Sequence, residues 1–490
     1  MTRYTGYSQN YHDAGLSIIN EDGTIEFASH AERFDKNKNT AWIPQSLWDY
    51  HDKSDHISFY EDAELKNRIR RSFSPALEKV KSKFYFPEPD SFTSHHVSHC
   101  AGAFYTRPWK DRDSTVMVSI DGVGEHQTTV ILDSDFNLLY EQTYPKSVGL
   151  VYTTATKILG LRPLEDEYVV MGLSSYGVPN EQLFYDLKDW YQEQPDINPD
   201  IEAGNIINEE RHSLSEIERS RMWRILEKSV KGGMEHANFA MTVQKFAEWA
   251  IMEIMTKARQ YGNKLVYSGG CAQNVVINSR LPELFDDVHI SVSPTDAGSS
   301  LGCAAHAWSQ ATGKDQLIWT PYLGYNIERD INPKEVVDHL LDKKVCGLAN
   351  GRAEFGPRAL GNRSLIADVR YDVKDTVNTI KRRQQYRPFA PAILEEYAEE
   401  YFDGPMNEYM QYTSIAKHDY KSVTHIDNTA RVQVVKKDCQ SVFRKVIEEY
   451  YERTGVPMLL NTSLNIRGRP MVNNEHDARL WEQKYKVKVF

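Results

Sequence analysis

Apolar runs that end in short, glycine-containing turns constrain the fold of this chain more than any other feature. Three runs and the turns that follow them are Val116–Ile120 with Asp121-Gly122-Val123-Gly124, Leu265–Tyr267 with Ser268-Gly269-Gly270, and Val288–Val292 with Pro294-Thr295-Asp296-Ala297-Gly298. After the third turn, residues 301–308 have the pattern of a helix. Buried strands that alternate with tight turns and helices are typical of α/β folds, in which ligands bind beyond the carboxyl ends of the strands. We therefore expect an α/β fold with a site among these turns.

The pattern of apolar and polar residues in the rest of the chain predicts further secondary-structure elements and a second unit. We expect a hairpin at residues 15–29, strands at 114–144, and a polar helical or loop insertion at 180–236. Residues 320–337 are expected to form a linker, and a further unit to begin at Val345. The 490 residues are enough for two or more domains. An amphipathic helix is predicted because seven apolar residues share one helical face: Phe239, Val243, Phe246, Ala247, Ala250, Ile251 and Ile254.

Charge and cysteine usage limit the classes of function. The net charge of -11 argues against broad, charge-driven binding to nucleic acid. Two basic clusters, at residues 68–71 and 381–387, still allow a local basic groove, a small-anion site or a solvated face. Five widely spaced cysteines without a CxxC pair indicate neither a disulfide framework nor a zinc ribbon. With no apolar signal core and no apolar run of about 20 residues, we expect a cytoplasmic protein with no membrane partner.

A pair of histidines and an aspartate predict a metal site. His95 and His99 are four residues apart, so on a helix they share one face and can bind one metal ion. Asp121 ends a buried strand, and the glycines Gly122 and Gly124 after it allow a phosphate to approach the backbone. The alternative is that both histidines are solvated helix residues without a ligand.

Two further turns fit nucleotide and metal binding. Asp296 precedes small residues that open a helix, where a carboxylate can hold a metal and backbone N–H groups can face an anion. The alternative is an ordinary helix N-cap, a position that aspartate favours. The glycines in SGGCAQN (268–274) admit a ribose or adenosine against bare backbone, although such turns are also common without a ligand.

Four glycine- or proline-containing segments in the C-terminal third carry arginines. They predict an anion pocket, because guanidinium groups hold phosphate oxygens in pairs. The alternative is a set of surface ion pairs with the many acidic residues. The segments contribute Arg352, Arg358, Arg363, Lys381, Arg387, Arg431, Asn461, Asn465, Arg467 and Arg469.

Two other features remain open at this point. His12 precedes the first strand, and an imidazole can take a proton from a hydroxyl, although a lone histidine is more often structural. Residues 42–84 combine aromatic and basic side chains, among them Trp42, Trp48, Tyr50 and Tyr60. They could stack on a base, but a packed helical insertion is the favoured interpretation.

The motifs, taken in order, resemble those of the O-carbamoyltransferases of the nodulation, cephamycin and tobramycin type. The matching motifs run from residue 94 to residue 468, and the motif AERFDKNK (31–38) extends the match towards the N-terminus. GRAEFGPRALGNRS (351–364) is the most specific. The others are HHVSHCAGAFY, DGVGE, VMGLSSYG, SGGCAQN, PTDAGSSLG, RPFAP, ARVQVV and LLNTSLNIRG.

The resemblance implies a fold and a reaction. Residues 1–335 would form a Kae1-like, actin-like ATPase domain that binds the metal and carbamoyl adenylate, and residues 345–490 a YrdC-like α/β domain that binds carbamoyl phosphate. ATP and carbamate would give carbamoyl adenylate, which carbamoylates a hydroxyl. The metal would be Fe(II), and two histidines with two carboxylates also suit Mn or Zn. Assembly of the protein as a homodimer is compatible with these expectations.

Residue roles follow from the same resemblance. Val169 departs from the lysine that the family often has there. The metal ligands would be His95, His99, Asp121 and Asp296, and His12 would deprotonate the acceptor. The nucleotide would be bordered by Gly269, Gly270 and Asn274. Gly122, Gly124 and Gly298 of the other turns would also contribute to the binding of the nucleotide. Carbamoyl phosphate would bind Arg358, Lys381, Arg387, Arg431, Asn465 and Arg467.

The acceptor stays open. It is a sugar, another small hydroxylated molecule, or a hydroxymethylated pyrimidine as a nucleotide or in DNA. One alternative function is a threonylcarbamoyl-type tRNA-modifying enzyme, against which the acidic charge counts. A second is an actin-like nucleotide-binding protein without catalysis, against which the converging arginines count.

Overall fold

A computed structural model describes residues 2–51, 54–62, 87–194 and 221–490. Within these ranges, the strands are β1 (Arg3–Ser8), β2 (Gly15–Asn20), β3 (Ile25–His30), β4 (His56–Phe59), β5 (Ser91–Phe92), β6 (Thr115–Gly124), β7 (Gln127–Asp133), β8 (Leu138–Thr143), β9 (Lys264–Ser268), β10 (Asp287–Ile290), β11 (Tyr322–Ile327), β12 (Val345–Ala349), β13 (Gly351–Glu354), β14 (Arg363–Ala367), β15 (Ala390–Leu394), β16 (Phe402–Asp403), β17 (Ser414–Ala416), β18 (Thr429–Ala430), β19 (Gln433–Val435) and β20 (Met458–Ser463).

The α-helices of the same ranges alternate with these strands. They are Glu32–Asp35, Gln45–Trp48, His95–Phe104, Val148–Ile158, Glu167–Ser174, Glu181–Glu193, Arg221–Lys231, His236–Arg259, Val275–Asn278, Asp296–Thr312, Pro333–Lys343, Lys374–Lys381, Ala398–Tyr401, Phe443–Thr454 and Glu475–Tyr485. The predicted mixed α/β fold is therefore confirmed. Among the described helices, none combines the length and the apolar character needed to cross a membrane.

The chain packs as two compact units that are not continuous in sequence. Unit 1 comprises Met1–Asn10, Ser17–Thr24 and Lys53–Ile318, and unit 2 comprises Tyr11–Leu16, Ile25–Asp52 and Trp319–Phe490. The functional assignment of residues 1–335 and 345–490, with its actin-like and YrdC-like folds, stays a prediction.

Unit 1 is built around a sheet with the strand order β10-β9-β6-β7-β8. Strand β6 runs parallel to β9, with Ser119 opposite Ser268, and antiparallel to β7. The carboxyl ends of two neighbouring parallel strands therefore lie side by side, which is where α/β folds bind ligands. A second group of strands has the order β2-β1-β4-β5.

Two helices of unit 1 pack closely through glycine. A Cβ on Gly302 of the helix Asp296–Thr312 would lie 1.7 Å from the carbonyl oxygen of Ser98 in the helix His95–Phe104. Only glycine permits this approach. His95 and Asp296 each begin one of these helices, and the side chains of both lie close to Asp121 of β6.

The predictions for unit 1 are largely confirmed, with one correction. The amphipathic helix extends over His236–Arg259, and all seven of its predicted apolar residues are buried. The insertion is helical at Glu181–Glu193 and Arg221–Lys231, and the rest of it lies outside the described residues, as do residues 68–71. The strand expected to end at Ile120 instead continues to Gly124, because a bulge takes up the extra residues before pairing with Gln127 resumes.

Unit 2 has a sheet with the order β12-β14-β20-β15-β19. The helices Pro333–Lys343 and Phe443–Thr454 contribute Val336, Val446 and Tyr450 to one buried cluster on it. The prediction of a linker at 320–337 is wrong. Tyr322–Ile327 forms β11, which pairs antiparallel with β13, because its apolar side chains bury and its backbone finds a partner strand.

Candidate active site

His95 and His99 lie on one face of the helix His95–Phe104. Their Nε2 atoms are 3.2 Å apart, and both side chains are buried. The expectation that they share a helical face is confirmed, and the alternative of solvated histidines is wrong, because the helix packs into unit 1 rather than facing solvent.

Asp121 reaches the two histidines from the bulge in β6. Its Oδ2 lies 3.0 Å from His99 Nε2 and 3.3 Å from His95 Nε2. Its Oδ1 accepts a hydrogen bond of 2.7 Å from the N–H of Gly122. Bulges commonly redirect a side chain at functional sites, and this one turns the Asp121 carboxylate towards the helix.

Asp296 completes the group from the opposite helix. Its Oδ1 lies 3.4 Å from His99 Nε2 and 3.7 Å from His95 Nε2. The residue at the N-cap is Thr295, so Asp296 is the first residue inside its helix and not the cap. One ligand atom from each of His95, His99, Asp121 and Asp296 lies within 4.8 Å of all the others.

Burial and the two carboxylates shift the protonation of this cluster. Burial opposes the charged form of His99, but the hydrogen bonds and charges of Asp121 and Asp296 outweigh it and raise its pKa to about 9. Burial also disfavours the Asp121 carboxylate, yet His95 and His99 lower its pKa well below the ordinary value. Burial and the neighbouring histidines lower the pKa of His96 to about 3, so this residue stays neutral.

The donor set fits a divalent transition metal. Two imidazole nitrogens and two carboxylate oxygens converge on one buried point, and this mixture suits Fe(II), Mn or Zn. The Nδ1 atoms of His95 and His99 are buried and accept or donate no hydrogen bond within the described residues. Nε2 of both rings faces the carboxylates of Asp121 and Asp296, so these histidines would bind a metal through Nε2.

Close packing requires glycine at several positions predicted to bind a nucleotide. A Cβ would lie 2.1 Å from His95 Cδ2 at Gly124, 2.9 Å from Asp121 Oδ1 at Gly270 and 1.7 Å from Ser293 O at Gly298. At Gly269, φ is +89° and a Cβ would lie 2.3 Å from the carbonyl oxygen of Ile120. Close packing thus disfavours a side chain at Gly124, Gly269 and Gly298, whereas the contact at Gly270 is only with the end of the Asp121 side chain.

Gly122 and Asn274 differ from those positions. A Cβ on Gly122 would meet only Leu150 Cδ2, at 3.8 Å. The Asn274 side chain accepts from the N–H of Ile277 and exchanges hydrogen bonds with the Gln244 amide. Nucleotide binding by all six residues stays a prediction.

His12 and the aromatic residues near it in sequence belong to unit 2, apart from Tyr60 in unit 1. The prediction that His12 precedes the first strand is wrong, because Arg3–Ser8 already forms β1. His12 is half-buried in a bend between β1 and β2, and its role as a base stays a prediction. Trp48 and Tyr60 are buried, and Tyr50 stacks on Phe27 with ring centroids 4.4 Å apart. The packed interpretation therefore holds for these three, and Trp42 is 48% exposed. Residues 63–86 lie outside the described part.

Unit 2 brings three of the predicted anion ligands together. Burial, followed by the charges of Arg358 and Arg387, lowers the pKa of Arg431 well below its ordinary value. Its Nε is buried without a hydrogen-bond partner among the described residues. Arg358 and Arg387 both disfavour the charge on Arg431, and an anion bound between these groups would offset that repulsion.

Lys381 joins this group from the end of its helix. Burial and the charges of Arg383 and Arg387 lower its pKa well below the ordinary value. Its Nζ donates to Asn465 Oδ1 at 2.9 Å, to Asn465 O at 3.1 Å and to both Ser463 oxygens. The N–H of Arg467 donates to the carbonyl of Lys381 at 2.9 Å, although the Arg467 side chain is exposed. We call Arg358, Lys381, Arg387 and Arg431 the cation cluster.

Other basic residues of the same motifs have structural roles that the sequence did not reveal. Arg363 is fully buried and donates to backbone carbonyls, as does Arg352. Arg383, which was not singled out, lies close enough to Lys381 to lower its pKa. The sequence feature that points to Arg383 is the basic run KRRQQYR (381–387), in which it stands two residues after Lys381.

Among solved structures, the likeness is low. The activator of the 2-hydroxyisocaproyl-CoA dehydratase from Clostridium difficile, with bound ADPNP, has a TM-score of 0.37 at 12% identity, covering 64% of this chain and 96% of that chain. T. kodakarensis HypF has a TM-score of 0.35 at 13% identity, covering 64% of this chain and 48% of that chain.

Sequence relatives span most of the chain. An uncharacterized protein of Methanocaldococcus jannaschii is 29% identical, over 95% of this chain and 94% of its own length. The nodulation protein NolNO of Sinorhizobium fredii is 32% identical, over 86% of this chain and 65% of its own length. The nodulation protein NolO of Bradyrhizobium diazoefficiens is 29% identical, over 79% and 75%.

Two family models match consecutive parts of the chain. The carbamoyltransferase N-terminus matches residues 61–305, which include all four residues of the histidine–carboxylate cluster. The carbamoyltransferase C-terminus matches residues 337–490, which include the cation cluster. The chain therefore belongs to the carbamoyltransferase family and is a carbamoyl-transferring enzyme.

Proposed function

We propose that this protein is an ATP-dependent O-carbamoyltransferase. Carbamoyl phosphate is hydrolysed to carbamate and phosphate, carbamate attacks the α-phosphate of ATP to give carbamoyl adenylate and pyrophosphate, and the adenylate carbamoylates an acceptor hydroxyl with release of AMP. The single observation that carries the proposal is the cation cluster of unit 2, in which the half-buried Arg431, with its Nε shielded from water, lies near Arg358 and Arg387. A noncatalytic nucleotide-binding protein has no need for such a cluster.

The cation cluster suits a small dianion. Guanidinium groups bind two phosphate oxygens at once, and the charge repulsion among Arg358, Arg387 and Arg431 is relieved when a phosphate lies between them. Lys381 is held by oxygens of Ser463 and Asn465, which fix its ammonium group in place. We assign Asn465 and Arg467 to the same pocket, Asn465 through this contact and Arg467 through its backbone bond to Lys381.

In unit 1, the histidine–carboxylate cluster would hold the divalent metal. When bound, the metal stabilises negative charge on phosphate oxygens. His95 and His99 present Nε2, and Asp121 and Asp296 each present one oxygen. The turn at Gly269-Gly270 lies beside Asp121, and we assign it, with Gly122, Gly124, Asn274 and Gly298, to the binding of ATP.

An acceptor hydroxyl must lose its proton when it attacks the adenylate. We assign this task to His12, because an imidazole nitrogen can accept a proton from a hydroxyl group. The acceptor is a sugar, another small hydroxylated molecule or a hydroxymethylated pyrimidine. The exposed Trp42 is available for stacking on a ring, which is compatible with the last of these.

Mass spectrometry over an acceptor panel tests the proposal. Purified protein, ATP, carbamoyl phosphate and Fe(II) are incubated with sugars, aminoglycosides, hydroxymethyl nucleotides and DNA that contains hydroxymethylcytosine. We expect pyrophosphate release and a gain of one carbamoyl group on one acceptor. Both should be lost in His99→Ala and Arg387→Ala and kept in Arg453→Gln, which changes an exposed surface ion pair with Asp338.

The same assay, with tRNA, threonine and bicarbonate added to the panel, separates the alternatives. Threonylcarbamoyl modification of adenosine in tRNA, without carbamate on any hydroxyl, would replace the proposal with tRNA modification. ATP binding without pyrophosphate release under any condition would leave a nucleotide-binding protein.

A further inference from the structure

The helix that carries both metal-binding histidines begins without a side-chain cap of its own. Ser94 occupies the N-cap position of His95–Phe104, but its side chain accepts no hydrogen bond there. The backbone N–H of His95 instead donates to the carboxylate of Glu125, at 3.1 Å to Oε1 and 3.2 Å to Oε2. The cap thus comes from a residue 30 positions away in sequence.

Glu125 also holds a third segment. Its Oε1 accepts a hydrogen bond of 2.7 Å from the N–H of Asp62. Glu125 is only 7% exposed, so its contacts are shielded from water. A buried carboxylate at a helix N-terminus is stabilised by the unpaired N–H groups of the first turn, and in return it fixes where that helix starts.

The residue before Glu125 positions the imidazole ring itself. A Cβ on Gly124 would lie 2.1 Å from Cδ2 and 2.3 Å from Cγ of His95, so the ring rests directly on the Gly124 backbone. Asp121, three residues earlier on the same strand, lies 3.3 Å from the ring Nε2. The short segment Asp121–Glu125 therefore meets the backbone, the ring face and the ligand nitrogen of His95.

The usual device for orienting a metal-binding histidine is absent from the described residues. Such histidines normally donate their second ring nitrogen to a carboxylate or carbonyl. Nδ1 of His95 is buried and makes no hydrogen bond with any of them. Some other contact must hold the ring, and Gly124 and Glu125 are placed to do so.

We propose that Glu125 and Gly124 are positioning residues for the metal site, which set His95 through its backbone and ring face in place of a bond to Nδ1. This inference rests on the metal site of the proposed function. Neither residue donates a ligand atom to the cluster. Their removal should weaken metal binding without removing a ligand.

Metal titration of the full-length protein tests the role of Glu125. Mn(II) affinity is measured by calorimetry, and bound Co(II) by its visible absorption spectrum. We expect Glu125→Ala to weaken Mn(II) binding about tenfold or more and to change the Co(II) bands. Glu125→Gln keeps an oxygen for the N–H groups of His95 and Asp62, so it should bind metal more tightly than Glu125→Ala. The matched control is Glu141→Gln, which changes a carboxylate on β8 that accepts from Gln127.

Gly124→Ala tests the second contact independently, in case Glu125→Ala does not fold. The added methyl must displace the His95 ring, so Mn(II) affinity should fall although all four ligands remain. Gly172→Ala is the control for adding a methyl group, because a Cβ there meets nothing within 4 Å. Wild-type Mn(II) affinity and an unchanged Co(II) spectrum in either Glu125→Ala or Gly124→Ala would overturn the proposal for that residue.

These outcomes are distinguishable from failure of the proposed function. A wild-type protein that binds metal but transfers no carbamoyl group would refute the reaction and leave the positioning role intact. A wild-type protein that binds neither Mn(II) nor Co(II) would overturn the positioning role.

Discussion

His99 Nε2 lies 3.0 Å from Asp121 Oδ2 inside unit 1, where both side chains are largely shielded from water. A protonated imidazole compensates the buried carboxylate charge, which is why the pKa of His99 is raised against the effect of burial. In the metal-free protein, a proton therefore occupies the place where a cation would bind. Metal and proton compete for one site.

Metal binding should release a proton at neutral pH. His99 has a pKa of about 9 without metal, so it is charged at pH 7.5 and must become neutral to bind a metal. Apparent Mn(II) affinity should rise about tenfold per pH unit between pH 7 and 9 and level off above that. Calorimetry at pH 7.5 in two buffers with different ionisation enthalpies gives the number of protons. A value near zero would contradict this assignment.

The same shift predicts how the stability of metal-free protein depends on pH. The pKa of His99 rises from an ordinary value of 6.5 to about 9 on folding. Charged His99 therefore contributes stability that is present in full below pH 6.5 and is lost as the pH rises to about 9. Thermal melting of the metal-free protein should show this loss, and saturating metal should reduce it. A melting temperature that increases over this range would exclude the raised pKa.

His96 and His99, three residues apart on one helix, should differ sharply when substituted. His99→Ala removes a ligand and should abolish tight metal binding and carbamoyl transfer. His96→Gln should retain metal, because His96 bonds to Ser119 and to the carbonyl of Gln127 rather than to the cluster. Metal content after dialysis and the melting temperature of each variant provide the test. Equal metal loss in both variants would contradict the assignment of His99 as a metal ligand and of His96 as a residue outside the metal site.

Sequence patterns were sufficient for the elements that obey a simple period. The helix His236–Arg259 buries its seven apolar positions because a period of 3.6 residues leaves one continuous face. The linker prediction failed at Tyr322–Ile327 because a short strand depends on a partner, here β13, which lies beyond the pattern of its own residues. Spacing gave the shared face of His95 and His99, but the approach of Asp296 depends on helix packing through Gly302.

The arginine-rich motifs show a second limit of the sequence. Arg358 and Arg363 stand five residues apart among glycines, yet Arg358 lies near Arg431 while Arg363 is enclosed by carbonyl groups. Both arginines belong to the same glycine-containing motif, although Arg363 is the first residue of β14. Only the tertiary placement of β14 distinguishes an anion ligand from a residue that completes the hydrogen bonds of the backbone.

Phosphate should stabilise the protein through the cation cluster. An anion that binds only the folded state adds about 2.7 kcal/mol when its concentration is 100 times the Kd, which raises the melting temperature by several degrees. Arg431→Gln should reduce this increase and raise the KM for carbamoyl phosphate at least tenfold, because it removes the guanidinium that lies near both Arg358 and Arg387. Thermal melting with and without phosphate measures the first effect. A full phosphate response in Arg431→Gln would contradict the assignment, and Arg453→Gln serves as the surface control.

Arg363 should matter for folding rather than for chemistry. Its guanidinium donates to the carbonyls of Tyr325 at 2.7 Å, Asn350 at 3.1 Å and Asn473 at 3.0 Å. Burial lowers its pKa to about 10, so it remains charged at neutral pH and depends on these oxygens. Arg363→Lys keeps the charge but cannot reach carbonyls on several sides, and the unpaired groups should cost about 3 kcal/mol or more. We expect a lower melting temperature with an unchanged Mn(II) affinity in the folded fraction. A variant as stable as wild type, or one that melts normally but has a raised KM for carbamoyl phosphate, would instead place Arg363 among the anion ligands.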